Sequence, residues 1–250
     1  EALIQGGGML NASQSSPMLT DVTFDGNTTQ IAGGGGGAGM FNHYLCSPSL
    51  TRVSFLNNSS YGGAVGGGLY AQVECSLSLT DVKFENNWAG YGGGMGLSEQ
   101  SVAVLKRVEF SENTAESSGG ALYNWSGSNL DITDAIFDGN SSTYYGGAVY
   151  MYLGSATITN AIFSNNSAVA SSIWEGEGGA VYNYLCDPVT FTNVSFAGNV
   201  ASYSGAALQN VSSSPTLVNC ILWGNSTTNK TAQIYEEYTA ASNVSFSIVQ

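Results

Sequence analysis

Few residues of this chain have the types and spacing that catalysis requires. Cleavage of a polysaccharide needs carboxylates clustered on one face, with an arginine, lysine or histidine that clamps or deprotonates the substrate. The chain has a single histidine, His43, and its acids are scattered. Asp25, Glu85 and Asp138 share one position of a sequence repeat, but they belong to repeats that are not adjacent. No cysteine–histidine spacing fits zinc. We therefore expect no catalytic residue, metal or cofactor.

Two short motifs alternate along the chain and determine where all side chains lie. One is a Gly-rich segment that ends in an apolar residue, and the other is F-x-x-N. The Gly motif ends at Met9, Met40, Leu69, Met95, Leu122, Val149, Val181 and Leu208, with a divergent ninth copy at Ile234. The F-x-x-N motif begins at Phe24, Phe55, Phe84, Phe110, Phe137, Phe163, Phe196 and, in an eighth copy, Leu222.

The distances between the motifs predict the architecture. The end of each Gly motif precedes the next F-x-x-N by 14 or 15 residues, whereas the return segment varies from 11 to 18. Strands that must stay in register cannot accept insertions, but loops can. A repeat of roughly 27 residues suits three short strands and is too short for a strand–helix–strand unit. The pattern predicts an all-β fold, a right-handed parallel β-helix of about nine coils, with residues 1–250 as one domain.

Alignment on the Phe predicts which side chains face inward. Apolar residues stand five and two positions before it, and an asparagine stands three positions after it in every copy. Buried amides are costly unless they are hydrogen-bonded. Stacked asparagines are therefore interpreted as an inward structural ladder rather than as a row of ligand-binding groups. The ladder consists of Asn27, Asn58, Asn87, Asn113, Asn140, Asn166, Asn199 and Asn225.

Charged residues and cysteines support the same register. Three positions before the Phe, acids and bases alternate, which favours pairing between neighbouring strands; they are Asp21, Arg52, Asp81, Arg107 and Asp134. Cys46 and Cys75 each lie six residues after a Gly motif, so they fall in one column of adjacent coils. One strand spacing lies within the Cα range of a disulfide. We predict a Cys46–Cys75 disulfide, while Cys186 and Cys220 have no assigned partner.

The composition excludes two classes of partner. The chain has 5 Lys and Arg against 18 Asp and Glu, which gives a formal net charge of −13. A nucleic-acid-binding protein needs a basic patch, so no nucleic-acid partner is expected. The sequence has no apolar run of about 18 residues, so no membrane insertion is expected.

The alternating GGAx or GGGM and FxxN motifs resemble the right-handed parallel β-helix repeats of polymorphic outer-membrane proteins and of bacterial surface proteins. The stretch NCILWGN…AQIYEE…NVSFSIVQ is similar to the closing coils of bacterial β-helix proteins with a choice-of-anchor segment. The resemblance covers essentially the whole chain and implies an extracellular or cell-surface location. Fold alone does not give an activity. Such proteins usually run on, so we expect more sequence or a partner beyond Gln250.

Two surface features are open to functional interpretation. Among the N-x-S/T sequons, those in loops or corners are glycosylation candidates, and an intact mass equal to that of the bare polypeptide would refute them; they are Asn57, Asn165, Asn193, Asn229 and Asn243. An aromatic residue follows most Gly motifs: Phe41, Tyr70, Tyr123, Tyr150, Tyr182 and Tyr235. This column is either a cross-strand ladder that stabilises the sheet or a sugar-stacking or lateral packing surface.

The leading functional hypothesis is a structural or adhesive surface protein, including a fibre subunit that assembles through open solenoid ends. The sequence at 2–5 echoes that at 247–250, so both ends fall within the repeat. The expected partners are further copies, packed head-to-tail or laterally, and glycans. The alternative is a carbohydrate-binding or polysaccharide-cleaving β-helix. Recognition is expected at the ends or in the insertions 28–36, 59–65 and 167–177.

Overall fold

The computed structural model describes residues 6–30, 35–172, 175–230 and 232–250. The predicted fold is confirmed: within these ranges the chain is all-β, without a helix, and winds through about nine parallel coils. Each coil contributes strands to three sheets. The sequence echo at 2–5 and parts of two predicted insertions, 31–34 and 173–174, lie outside the described residues.

The three sheets run along the solenoid, one strand above another. The first sheet contains Met9–Ala12, Met40–His43, Leu69–Gln72, Met95–Ser98, Leu122–Asn124, Val149–Tyr152, Val181–Tyr184, Leu208–Val211 and Ile234–Glu237. The second contains Met18–Thr20, Thr23–Asp25, Ser49–Thr51, Ser54–Leu56, Ser76–Glu85, Val102–Ser111, Asn129–Asp138, Ser155–Ser164, Val189–Thr192, Ser195–Ala197, Thr216–Val218, Ile221–Trp223, Asn243–Ser245 and Ile248–Val249. The third contains Thr28–Gln30, Ser59–Val65, Trp88–Tyr91, Thr114–Ser118, Ser141–Ser142, Ser167–Ala168, Val200–Ala201 and Ser226–Thr227.

The register follows the sequence motifs. Phe110 pairs with Phe137, and Phe137 pairs with Phe163, in neighbouring strands of the second sheet. Their rings stack with centroids 5.0 and 4.5 Å apart and with planes within 3° of parallel. The same stack continues from Phe24 to Phe196, and Leu222 follows it in the eighth coil. Identical side chains thus repeat inside every coil and build one continuous apolar core.

The eight asparagines that follow the Phe residues form an unbroken hydrogen-bonded ladder. The Nδ2 of Asn113 donates to the Oδ1 of Asn140 at 3.0 Å, and its Oδ1 accepts from the Nδ2 of Asn87 at 2.9 Å. The same Oδ1 accepts the backbone N–H of Asn87, and the Nδ2 also donates to the backbone carbonyl of Phe84. Each amide therefore satisfies backbone groups of a neighbouring coil that would otherwise be buried without partners. After Asn225 the ladder ends on the Oε1 of Gln233, at 2.7 Å.

Corner residues in the left-handed backbone conformation bend the chain, both between sheets and within the second sheet. The charged column stands at one such corner, where Arg52 pairs with Asp21 and Arg107 pairs with Asp81, each with an Nε–Oδ1 distance of 2.6 Å. Both pairs are exposed to solvent, so each contributes little to the stability of the fold. Because opposite charges meet in neighbouring coils, the pairs favour the observed register over a slipped one.

The first glycine of each motif stands at a crowded corner. Gly146 has φ of +64°, and a Cβ there would lie 2.1 Å from the carbonyl oxygen of Val149. Gly139 has nearly the same φ, +65°, yet the nearest atom to its Cβ would be 3.6 Å away. A glycine is thus required at the first position by contact as well as by backbone conformation.

Replacement of Gly146 with alanine is expected to lower the free energy of unfolding by about 2 kcal/mol or more, since the methyl group collides with backbone. Gly139→Ala is the matched control, because it tests the left-handed conformation alone and is expected to cost about 1 kcal/mol. Urea denaturation of both variants measures the difference. Equal midpoints for the two variants would show that the collision at Gly146 is relieved at no cost.

Candidate binding face

The residues with catalytic chemistry are not brought together. His43 is exposed at the end of a first-sheet strand, whereas Asp25, Glu85 and Asp138 lie on second-sheet strands of the first, third and fifth coils. Glu85 pairs with Lys83 at 3.0 Å, and Asp138 accepts a hydrogen bond from Ser164. Within the described ranges no three His, Cys, Asp or Glu side chains are grouped so that they could hold a metal ion.

The outer face of the first sheet carries the aromatic column that follows the Gly motifs. Tyr123, Tyr150 and Tyr182 stack with centroids 5.2 and 5.5 Å apart, which is the cross-strand ladder that was one of the two interpretations. The alternative, a sugar-stacking surface, does not fit this column, because these side chains are buried beneath residues such as Tyr91 and Tyr145. Burial raises the pKa of all three phenols. The column is a second apolar layer outside the main core.

The rings that remain accessible stand two residues after the buried column, at the ends of the first-sheet strands or, for Trp125, directly after the strand. We call Trp125, Tyr152 and Tyr184 the aromatic strip; they lie in the fifth, sixth and seventh coils. Trp125 is 37% and Tyr184 36% exposed. The ring centroids of Trp125 and Tyr152 are 4.3 Å apart, and those of Tyr152 and Tyr184 are 5.1 Å apart. The strip rests on the stacked tyrosines beneath it, since Trp125 also stacks on Tyr123 at 5.7 Å.

The surroundings of the strip change along its length. Beside Tyr152 and Tyr184, the corner residues Leu153 and Leu185 expose apolar side chains. Beside Trp125, the corner residue is Ser126. Sequence reasoning missed the strip because it followed the residue directly after each Gly motif. The alternation of inward and outward residues in a strand places the next outward side chain two positions later, and this signal was present in the sequence.

Glu177 is a second feature that sequence reasoning missed. It lies half-buried at the edge of this face, bridged to Tyr145 of the preceding coil and to Ser204 of the following coil. Burial raises the pKa of Glu177 to about 7; the charge of Glu237 adds to this shift, and that of Lys230 opposes it. The Nζ of Lys230 donates to the hydroxyl of Tyr235 at 2.6 Å.

The raised pKa of Glu177 predicts a pH-dependent stability. The folded state binds this proton more tightly than the unfolded chain, so the contribution is fully present below about pH 4.5 and is lost as the pH rises through 7. With allowance for solvent screening of a half-buried group, the loss is about 1–2 kcal/mol. Glu177→Gln is expected to unfold at a higher urea concentration than wild type at pH 8 but not at pH 4.5. A uniform effect at both pH values would contradict this.

The predicted Cys46–Cys75 disulfide is not formed in the structure, in which all four cysteines are buried thiols. The predicted adjacency is present: the backbone N–H of Cys46 donates to the Sγ of Cys75 at 3.3 Å. Serines play the same part in neighbouring coils, where Cys75 N–H donates to Ser101 Oγ and Ser101 N–H to Ser128 Oγ. The column therefore meets its hydrogen-bonding needs without a covalent bond.

The Cys46–Cys75 disulfide remains a prediction for protein folded in an oxidising compartment. Burial raises the pKa of Cys75 to about 11, so the bond must form during folding, before the thiol is enclosed. Peptide mapping of protein purified without reductant is expected to recover the two cysteines as a linked pair. Alkylation of Cys46 in that material after denaturation would contradict the prediction.

The glycosylation candidates all lie on the surface. Three of them stand at left-handed corners, and their amides are hydrogen-bonded to neighbouring coils: Asn57 to Asp25, Asn165 to Asp138 and Asn193 to Asn160. Asn229 and Asn243 are exposed as well. Sequons within the ladder, such as Asn58 and Asn140, are fully buried. Modification at the five exposed sites remains a prediction.

Comparison with known proteins agrees with this architecture. A model described as the Chlamydia polymorphic membrane protein repeat matches residues 107–124, 134–151 and 160–184. Each matched segment begins at a left-handed corner and ends in the first sheet, so it spans both motifs. The probable autotransporter YfaL of Escherichia coli (strain K12) is 38% identical over 101 residues, which cover 37% of this chain and 8% of that protein. No solved structure matches the chain significantly.

No helix in the described part of the chain is long and apolar enough to cross a membrane. The repeat match, the autotransporter relative and the parallel β-solenoid all indicate a repeat protein of the cell surface or the extracellular space. The chain is a cell-surface or extracellular parallel β-helix repeat protein, and its segments 107–124, 134–151 and 160–184 are similar to the polymorphic-membrane-protein repeat.

Proposed function

We propose that this chain is an adhesive segment of a surface protein and that it attaches through the aromatic strip. The observation that carries the proposal is a run of three contacting rings, of which Trp125 and Tyr184 are exposed and Tyr152 is half-buried, beside a buried tyrosine column. Exposed aromatic side chains on a rigid support are typical of contact sites, because little conformational entropy is lost on binding. Tyr152 and Tyr184 lie on paired strands, and the backbone N–H of Trp125 donates to the carbonyl of Leu97, which supplies that rigidity.

The adhesive function is tested with purified protein on beads, measured by retention on a panel of bacterial and eukaryotic cell surfaces. Wild type is expected to be retained on at least one surface, and Trp125→Ala is expected to lose most of that retention. Trp223→Ala is the matched control, because Trp223 is 57% exposed but stands on the second sheet. Failure of wild type to be retained on any surface would overturn the function. Equal losses of retention in both variants would show that adhesion does not depend on the aromatic strip.

We further propose that the chain acts by binding and not by turnover. The support is the separation of Asp25, Glu85 and Asp138, which stand in non-adjacent coils and therefore do not form the carboxylate pair that glycoside cleavage uses. Assays with polyuronates and neutral polysaccharides are expected to show no product. Measurable turnover that Glu85→Gln or Asp138→Asn abolishes would favour the polysaccharide-cleaving alternative.

Assembly of copies into a fibre is a second proposal, supported by the apolar surface of the ninth coil. Phe246 is 90% exposed there, and Ile248 and Val249 are also exposed. A coil of another copy that packs on these residues would remove them from water. Wild type is expected to form filaments in electron micrographs at high concentration, and Phe246→Asp is expected to prevent them. Monodisperse wild-type particles under those conditions would contradict fibre assembly.

A further inference from the structure

Two tyrosines of the aromatic strip stand directly opposite each other in neighbouring coils. Tyr152 pairs with Tyr184 in the parallel register of the first sheet, and their ring centroids are 5.1 Å apart. Side chains at paired positions of parallel strands leave the sheet in the same direction. The two phenol groups are therefore held in contact on one face of the sheet, one coil apart.

The angle between the two rings distinguishes this pair from the buried tyrosine column. The ring planes of Tyr152 and Tyr184 are tilted by 40°, whereas those of Tyr150 and Tyr182 are within 12° of parallel. Two phenol rings that are bonded directly through ring carbons are twisted, because their flanking groups collide in a flat arrangement. The tilted pair is therefore closer to the geometry of a carbon–carbon bonded pair than the stacked rings are.

Solvent reaches this pair more readily than it reaches the buried column. Tyr184 is 36% exposed and Tyr152 is half-buried, whereas Tyr150 and Tyr182 are each 8% exposed. Burial also raises the pKa of Tyr150 and Tyr182, which makes loss of a phenol proton less favourable there. Tyr145 is tilted against Tyr182 as well, with centroids 4.7 Å apart, but one member of that pair is buried.

We propose that oxidation by hydrogen peroxide, with a one-electron catalyst such as a haem peroxidase, joins Tyr152 to Tyr184 as a dityrosine. Each phenol loses one electron and one proton and becomes a phenoxyl radical. The two radicals form one carbon–carbon bond between the ring positions next to their oxygens, and each of these carbons then passes its hydrogen to its own oxygen. The pair has lost two hydrogen atoms in all, and the two electrons and two protons reduce one peroxide to two molecules of water.

The cross-link fastens two coils that are separated in the chain by a long insertion. The segment 167–177 lies between Tyr152 and Tyr184. A coil of a solenoid contacts only its neighbours, so coils can open locally. A covalent bond across the coil boundary limits that opening, and a cell-surface or extracellular location is an oxidising environment. The cross-link is independent of the proposed adhesive function.

The test treats purified protein at low concentration with hydrogen peroxide and a haem peroxidase and follows dityrosine fluorescence. Wild type is expected to gain this fluorescence while it remains a monomer on a denaturing gel, and to lose the mass of two hydrogen atoms. Cleavage after glutamates cuts the chain between the two tyrosines at Glu175 and Glu177, so a linked peptide pair identifies the bond. Tyr184→Phe is expected to lose most of the fluorescence, whereas Tyr182→Phe, the matched control from the buried column, keeps it.

Urea denaturation gives a second readout. Treatment is expected to raise the urea midpoint of wild type, because the bond restricts the unfolded chain, and to leave the midpoint of Tyr184→Phe unchanged. Circular dichroism of the untreated variants confirms that they are folded. The proposal is overturned if treated wild type contains no dityrosine, if Tyr184→Phe forms as much of it as wild type, or if the linked peptides are joined through other tyrosines.

Discussion

Asn113→Ala is expected to lower the free energy of unfolding by about 4 kcal/mol, because the substitution leaves several buried polar groups without partners. In the folded protein the Oδ1 of Asn113 accepts two hydrogen bonds from Asn87, and its Nδ2 donates to Phe84 and Asn140. Alanine supplies neither the acceptor nor the donor. The partner groups of Asn113 are then left in the interior without hydrogen bonds, where water cannot replace the lost amide. Urea denaturation followed by circular dichroism measures the loss.

The neighbouring residue supplies the control. Glu112 has φ of +55° at the corner, where Gly26, Gly139 and Gly224 stand in other coils. Glu112→Gly is therefore expected to leave stability unchanged or to raise it by up to about 1 kcal/mol. If Asn113→Ala costs no more than about 1 kcal/mol, the ladder contributes little net stability, and its role is confined to register.

Phe137→Ala is expected to cost about 3–5 kcal/mol, the range for a large buried aromatic side chain that leaves a cavity. Phe137 is fully buried, and both faces of its ring are covered by Phe110 and Phe163. Phe137→Leu is expected to cost about 1 kcal/mol, because Leu222 occupies the same column in the eighth coil. Urea midpoints and their slopes measure both changes.

Ile136→Ala is the matched control for the Phe stack, since Ile136 is the preceding residue of the same strand and points outward. It is expected to change the free energy of unfolding by no more than about 0.5 kcal/mol. Comparable losses for Ile136→Ala and Phe137→Ala would mean that the stability of the solenoid does not reside in its stacked interior.

The fold was predictable because each coil repeats the same inward positions. The constant distance from Gly motif to F-x-x-N fixed the strand register, and the pairing of Phe110 with Phe137 follows from it. The asparagine ladder and the alternating charges could be predicted for the same reason, since identical or complementary residues recur once per coil. In a parallel solenoid, sequence periodicity translates directly into spatial adjacency.

The binding face was less predictable, because the burial of an outward side chain depends on residues from a different segment of the coil. Tyr150 is covered by Tyr145, which precedes it in the chain, whereas Tyr152 is only half-buried. The segment that supplies the cover varies in length, so its register is not fixed by the motifs. The cysteine column contains Ser101 and Ser128 at the same position, so its hydrogen-bonding role could have been predicted by comparing all coils, whereas the disulfide stays a prediction.

The asparagine ladder is directional. Every side-chain amide donates toward the following coil, so the bond dipoles of seven successive Asn–Asn contacts add along the solenoid axis. The carbonyl pole lies at Asn27, and the amino pole at Asn225 is neutralised by Gln233. The amide of Asn225 therefore passes its last hydrogen bond to a glutamine instead of to another asparagine. The interior dipole thus gives the stack of coils a polarity along its axis.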